Sequence, residues 1–154
     1  MNKFKNIKFC LHQFNSEVGN IDGNYEKIKK LIEDNSIIND SSHVIHIFPE
    51  TAITGYLCGA LYDRFDFVKK ANDIIDSKLR NDFNQLLNEK KITIIIGNIT
   101  FYGSNEAGFP IIENSVIILN GSNKFLYSKQ LLANGDHHED RKYFRAGIES
   151  KIFE

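Results

Sequence analysis

Glu50, Lys129, the run His137–Asp140 and two cysteines are the residues of this 154-residue chain whose types and settings could carry chemistry. Glu50 follows the β-rich run HVIHIF and Pro49, at the end of a buried strand. That is where α/β sheets present active-site groups, and an apolar, rigid setting pushes a carboxylate towards general-base use. The competing reading is an exposed, structural Glu at a strand terminus. Lys129 closes the arm KFLYSK just after Tyr127, within reach of a site at the strand ends, where an ammonium steadies a developing oxyanion. A surface lysine guarding a hairpin edge is the alternative. His137, His138, Glu139 and Asp140 invite a metal reading. Adjacent residues do not converge on one ion, however, and His43 and His46 lie on another strand, so no metal site is expected. Cys10 sits mid-strand as a small buried hydrophobe. Cys58, eight positions after Glu50, is the one candidate nucleophile, but it has no base or positive neighbour in sequence and reads as structural.

The elements that must position these groups follow from periodicity. Residues 6–15 alternate as a strand, and Ile21, Tyr25, Ile28, Leu31 and Ile32 fall at helical spacing with Asp22 or Asn24 as the cap. A second strand covers 43–48 and stops at Pro49. Residues 51–63 read as an irregular loop containing Gly55 and Gly59, and 64–90 as helix in two pieces. KITIIIGNITFYG (91–103) is a third strand, followed by a flexible stretch around Gly103–Gly108. Residues 114–129 form a hairpin turning at Asn120-Gly121. A polar loop, ANGDHHEDRKYFRAG, precedes a last short run, SKIFE. The order β-α-β-α-β-β-β predicts a mixed α/β chain with helices covering a sheet. The last run looks like the start of another strand, so the domain is expected to be incomplete, with apolar strands left partly unpaired.

Composition narrows the classes. Nineteen basic residues against twenty acidic ones give a net charge of −1, which excludes the usual electrostatic nucleic-acid binder. The lysine pairs 29–30, 69–70 and 90–91 read as solvated faces. Hydrophobic residues at 42% and charged ones at 25% suit a soluble globular domain. No apolar run approaches the ~20 residues of a membrane span, and MNKFKNIKFC lacks the apolar core of a signal peptide. A cytoplasmic protein that touches neither membrane nor nucleic acid is expected. Two cysteines supply no disulfide framework.

Taken together, these segments resemble the carbon–nitrogen hydrolases of the nitrilase superfamily, and within them the glutaminase domain of glutamine-dependent NAD synthetases. QFNSEVGNIDGN is similar to that group's Gln–x–Asn, Val–Gly, Gly–Asn opening, and FPETAITGY to the segment bearing the general-base glutamate, with Gly55 and Tyr56 in place. Leu61, Arg64, Asp66 and Phe67 match the next stretch in part. Asn114-Ser115 and YSKQLL resemble the segment delivering the lysine, and DRKYFRAG the acid–x–x–Tyr–Phe–x–x–Gly motif. The resemblance implies a four-layer α-β-β-α sandwich, here incomplete, and an oligomeric enzyme. Residues 1–154 would be the N-terminal portion of the domain, ending before the nucleophile strand.

By the same resemblance Glu50 corresponds to the base that deprotonates a cysteine thiol, and Lys129 to the group that steadies the tetrahedral intermediate. Asp140 stands at a supporting glutamate one methylene longer, with Glu139 beside it. Gly135 falls where the synthetases often carry a tyrosine, and Ala133 replaces a proline. Neither Cys10 nor Cys58 matches the nucleophile, which in the family follows the Tyr–Phe–x–x–Gly segment. The chain alone is therefore expected not to hydrolyse glutamine. ATP and the deaminated NAD precursor would belong to a synthetase domain absent from these residues, so no cofactor is expected here. The remainder of the enzyme, or a second copy of the chain, is the implied partner. Two other readings stay open: a non-catalytic module that pairs with another chain through an open sheet edge, and a complete small α/β domain whose motif matches are coincidental.

Overall fold

The computed structural model describes residues 6–36, 42–56, 58–133, 135, 139–150 and 152. Strands β1 (Ile7–Leu11), β2 (His43–Ile47), β3 (Ile92–Ser104), β4 (Pro110–Asn120) and β5 (Asn123–Ser128) form one sheet in chain order. β1, β2 and β3 are parallel, whereas β4 and β5 return antiparallel as two hairpins. Crossover helices serve the parallel pairs, as right-handed βαβ units require. These are α1 (Ile21–Ser36) and a chain of short pieces: α2 (Phe65–Ile74), a π-helical turn (Ile75–Leu79), α3 (Arg80–Asp82) and α4 (Asn84–Asn88). A 3₁₀ turn at Gly59–Asp63 and the single turn α5 (Asp140–Tyr143) complete the elements.

The helices lie on one face of the sheet. Ile21, Tyr25, Ile28 and Ile32 of α1 are buried at the spacing of a single helix face. Against them stand Val44 and His46 of β2 and Ile92, Ile94 and Ile96 of β3, nearly all without solvent contact. Asn98 Nδ2 donates to Ala71 O of α2 at 2.6 Å, which fixes α2 over β3. Burying such a set contributes about 1.5–3 kcal/mol per large side chain. The opposite face is open at β1, where Ile7, Phe9 and Leu11 are 58%, 61% and 77% exposed. Among the described residues the sheet and its helices make two layers.

Three local expectations change. The cap of α1 is Asn20, whose Oδ1 accepts from Gly23 N at 2.9 Å; neither Asp22 nor Asn24 holds that place. Asp22 instead lies in the first turn, where it complements the helix dipole, and buried Asn24 donates to Glu17 O and Ile53 O. The first strand is five residues long, because its ladder partner β2 ends at Ile47 and His12 makes the last bond, to Ile47 O. The stretch around Gly103–Gly108, read as flexible, is a tied hairpin turn that β3 enters as far as Ser104. β4 starts at Pro110, and the tip is tied by Asn105, whose Oδ1 accepts from Ala107 N and Phe109 N.

Candidate active site

Gly97 sets the site. On β3 it alternates with Ile96 and Asn98, whose side chains enter the helix layer, so its own missing side chain lies on the opposite face. A Cβ there would stand 2.5 Å from Pro49 O, 2.6 Å from Glu50 Cα and 2.8 Å from Thr51 N. The turn after β2 therefore lies directly on the sheet, tied down by Ala52 N donating to Gly97 O at 2.9 Å. Thr51 within that turn has φ 47°, a left-handed conformation that is strained for a β-branched residue, by roughly 1–3 kcal/mol. Such strain persists only where the surroundings over-determine the backbone. Here it aims Glu50 across the sheet face.

Glu50 meets Lys129 there. Lys129, the first residue past β5, places its ammonium 2.9 Å from Glu50 Oε1 and 2.9 Å from Asp140 Oδ2. Asp140, at the start of α5, is buried and also accepts from Ala133 N at 3.1 Å. Asn114 of β4 donates from Nδ2 to Glu50 Oε1 at 2.5 Å. A second close approach anchors the lysine. Gly147 N donates to Lys129 O at 2.9 Å, and a Cβ on Gly147 would collide with Ser128 O at 2.3 Å. Residues 64 and 79 positions from Glu50 in sequence thus converge on one carboxylate oxygen.

Partial burial pulls the Lys129 ammonium towards a lower pKa. Hydrogen bonds from it to Asp140 and Glu50, with the charges of both, outweigh that pull and push it up to about 12. It is a permanent cation between two acids. The phenol of Tyr56 is also raised, first by desolvation and then by the nearby charges of Asp140 and Glu50, and Tyr56 lines a small pocket together with Asp140. Glu139 is exposed and pairs with Lys142 at 3.4 Å, so of the two adjacent acids only Asp140 reaches the lysine. The Glu50 side chain is 45% exposed, because the turn carries it over an open face. The sealed, apolar setting expected from Phe48 and Pro49 is not found. Phe48, Gly97, Asn114 and Tyr127 line, with Glu50 and Lys129, a cleft of about 340 Å³.

Both cysteines are buried and free, and neither lines that cleft. Cys10 neighbours His46 in the ladder, and Cys58 Sγ donates to Thr54 O at 3.1 Å. His137 and His138 lie outside the described residues. His43 bonds Lys90 O and Thr93, and His46 bonds His12 and Ser36. Sequence reasoning singled out Asn114 without a role and missed Gly97. A glycine inside the run ITIIIGNIT was the available signal, since glycine in a strand marks close backbone approach.

A sheet whose strand-end turn carries an acid, joined to a lysine from the end of the far hairpin and to a second acid at the start of α5, has relatives. The family model of the carbon–nitrogen hydrolases matches residues 10–154, and the chain belongs to that family. A match of that extent sets aside a coincidental small domain. Among curated relatives, the glutamine-dependent NAD(+) synthetase of Aquifex aeolicus is 28% identical over 148 residues, 96% of this chain and 24% of the relative. That of Acinetobacter baylyi is 25% identical, over 97% of this chain and 25% of its own length. This chain therefore spans about a quarter of the curated relatives it matches. Among solved structures, the Acinetobacter baumannii glutamine-dependent NAD+ synthetase in complex with ADP superposes with a TM-score of 0.68 at 24% identity, over 95% of this chain and 25% of that one. A carbon–nitrogen hydrolase from Helicobacter pylori G27 superposes at 0.63 and 15% identity, over 92% of this chain and 45% of its own. At these identities the structures speak for the fold, which is nitrilase-like. No helix among the described residues is long and apolar enough to cross a membrane.

Proposed function

We propose that residues 1–154 supply the base and the oxyanion-stabilising lysine of an amidase site that acts on glutamine, as the N-terminal portion of a carbon–nitrogen hydrolase domain. The observation that carries this reading is the single ammonium of Lys129 held 2.9 Å from both Glu50 and Asp140. The nucleophile is a cysteine thiol from outside these residues, since Cys10 and Cys58 are buried away from the cleft. Glu50 takes the thiol proton, and the thiolate adds to the amide carbon. Lys129 then stabilises the oxyanion, ammonia leaves with the proton from Glu50, and water hydrolyses the resulting thioester. With Oε1 held by Asn114 and Lys129, Oε2 is the oxygen that accepts the proton. Asp140 supports the lysine, and Tyr56 packs near Asp140 in a supporting role.

In this reading the open face at β1 receives a second sheet, giving the four-layer sandwich. Ammonia passes to a synthetase that holds ATP and the deaminated NAD precursor, and these residues hold no cofactor themselves. The protein is cytoplasmic and works joined to the remainder of the enzyme or as a homo-oligomer. The 154 residues alone do not turn over.

The test is ammonia release from glutamine by the intact protein carrying these residues. Glu50→Gln and Lys129→Ala should each lower kcat by at least about 10²-fold, the scale of losing an acid–base or oxyanion group, while Cys58→Ala leaves it unchanged. Turnover that survives Glu50→Gln, or is abolished by Cys58→Ala, rejects the assignment. The exposed apolar strand β1 supports a second reading, a non-catalytic module docking a partner through its open sheet edge. Absence of any amide hydrolysis in the intact protein, with a stable complex formed through β1, would favour that alternative.

A further inference from the structure

Glu50 and Lys129 come from two strand ends separated by 79 residues, and each is partly exposed, with side chains 45% and 31% accessible. An exposed Glu–Lys pair holds no geometry by itself, because solvent competes and long side chains retain rotamer freedom. Something buried must hold both. Asn114 is 4% exposed and lies inside β4, paired with Ile99 of β3. Its two ends engage the two halves of the site. The side-chain Nδ2 donates to Glu50 Oε1 at 2.5 Å, and the main-chain carbonyl accepts from Lys129 N at 2.8 Å.

We infer that Asn114 is the positioning residue of this site, coupling the rotamer of the base to the backbone that carries the lysine; the inference rests on the amidase reading above. The chemistry selects the residue type. An ionised carboxylate accepts and cannot donate, so its buried neighbour must present N–H. Aspartate at 114 would set a third acid around the one ammonium of Lys129, and an alkyl side chain would leave Glu50 Oε1 with the lysine alone. The role also suits the strand address. A mid-strand residue in the most extensively paired part of the sheet moves less than either strand-end turn, so it fixes the register between them. Glu50 is then presented with Oε1 turned inward and Oε2 towards the cleft. Asn114 touches neither thiol nor amide in this scheme and acts through Glu50.

The experiment has two arms on the intact protein. In the kinetic arm, Asn114→Ala should lower kcat for glutamine hydrolysis by about 10- to 100-fold, the cost of a base misplaced by about 1 Å, with KM within threefold. Retained kcat within twofold overturns the inference while leaving the amidase reading in place. The second arm is NMR of the Asn114 side-chain amide. One Nδ2 proton should be displaced downfield and slowed in exchange, and both effects should vanish in Glu50→Ala, a change at a solvent-accessible side chain. An Asn114 amide spectrum identical in the two proteins also overturns it, and this arm decides if Asn114→Ala does not fold. A wild-type protein without amide hydrolysis but with the coupled amide signal would sink the amidase reading and uphold the Asn114–Glu50 linkage.

Discussion

Replacing Gly97 with alanine should both destabilise the fold and misplace Glu50. The added Cβ would meet Pro49 O at 2.5 Å, Glu50 Cα at 2.6 Å and Thr51 N at 2.8 Å, all backbone atoms that no rotamer change can remove. Ordinary van der Waals contact begins at 3.4 Å, so the turn must retreat by about 0.9 Å at its nearest point. Retreat stretches the 2.9 Å bond from Ala52 N to Gly97 O and relaxes the support that holds Thr51 at φ 47°. Overpacking of this kind costs about 1–3 kcal/mol. For a chain of this size the unfolding entropy is roughly 2.1 cal/mol/K per residue, so Tm should fall by about 3–9 °C. Because Glu50 rides on the displaced turn, its contact with Lys129 lengthens, and under the proposed amidase role a 1 Å error at the base costs about 10²-fold in rate. Thermal unfolding by circular dichroism and ammonia release by the intact protein read the two effects. The control is Gly103→Ala, where a Cβ meets no atom within 4 Å, although its φ of 105° carries backbone strain of its own. A Gly97→Ala protein with unchanged Tm and unchanged rate would refute the view that this glycine seats the site.

Lys129→Met leaves buried Asp140 without its cation and should cost about 1–3 kcal/mol, reduced from the value for a fully buried pair by the lysine's exposure; Asp140→Asn in the same chain should recover most of it in a double-mutant cycle by chemical denaturation. The core pair His12–His46 should make the fold acid-labile. Ser36 Oγ gives its proton to Ile32 O at 2.6 Å, so His46 Nε2 donates to Ser36 and its Nδ1 accepts from His12 at 2.9 Å, with no room for another proton. Burial, then the proximity of His12 and Lys8, lowers the His46 pKa from 6.5 to about 4. The unfolded chain thus binds more protons between those values, and stability should fall as pH drops from about 6.5 to 4, by up to about 1.4 kcal/mol per unit; a urea midpoint that is flat across this window would contradict the argument, and His46→Gln should shrink the slope. Asn20→Ala removes the cap bond to Gly23 N and should cost about 1 kcal/mol, read from the same midpoint.

The paired lysines bear on how such numbers should be read. Lys29 meets Asp82, Lys69 and Lys70 meet Asp73 and Asp22, and Lys91 meets Glu89, all at the surface. Solvent and salt screen exposed pairs of this kind, so each contributes little. Stability therefore rests on the buried aliphatic layer and the helix-side ladder, and a charge change among these lysines would be a poor probe of the site.

Much of this molecule follows from the order of residues alone. Short β-rich apolar runs mark β2 and β3, Asn120-Gly121 marks the β4–β5 turn, and the apolar positions of residues 21–32 mark α1, because local patterning reflects which parts of each element must leave water. The motif order around Glu50, Lys129 and Asp140 likewise points to a carbon–nitrogen hydrolase. The cap at Asn20, the seat at Gly97, the bridge through Asn114 and the choice of Asp140 over Glu139 needed the folded chain. The cap at Asn20 is a local bond to Gly23 N, but each of the other three depends on contacts between segments distant in sequence, set by strand register and by how closely one backbone approaches another. A one-residue slip of β4 would turn Asn114 to the helix side and leave Glu50 without its buried donor, and no local preference of either segment encodes that register.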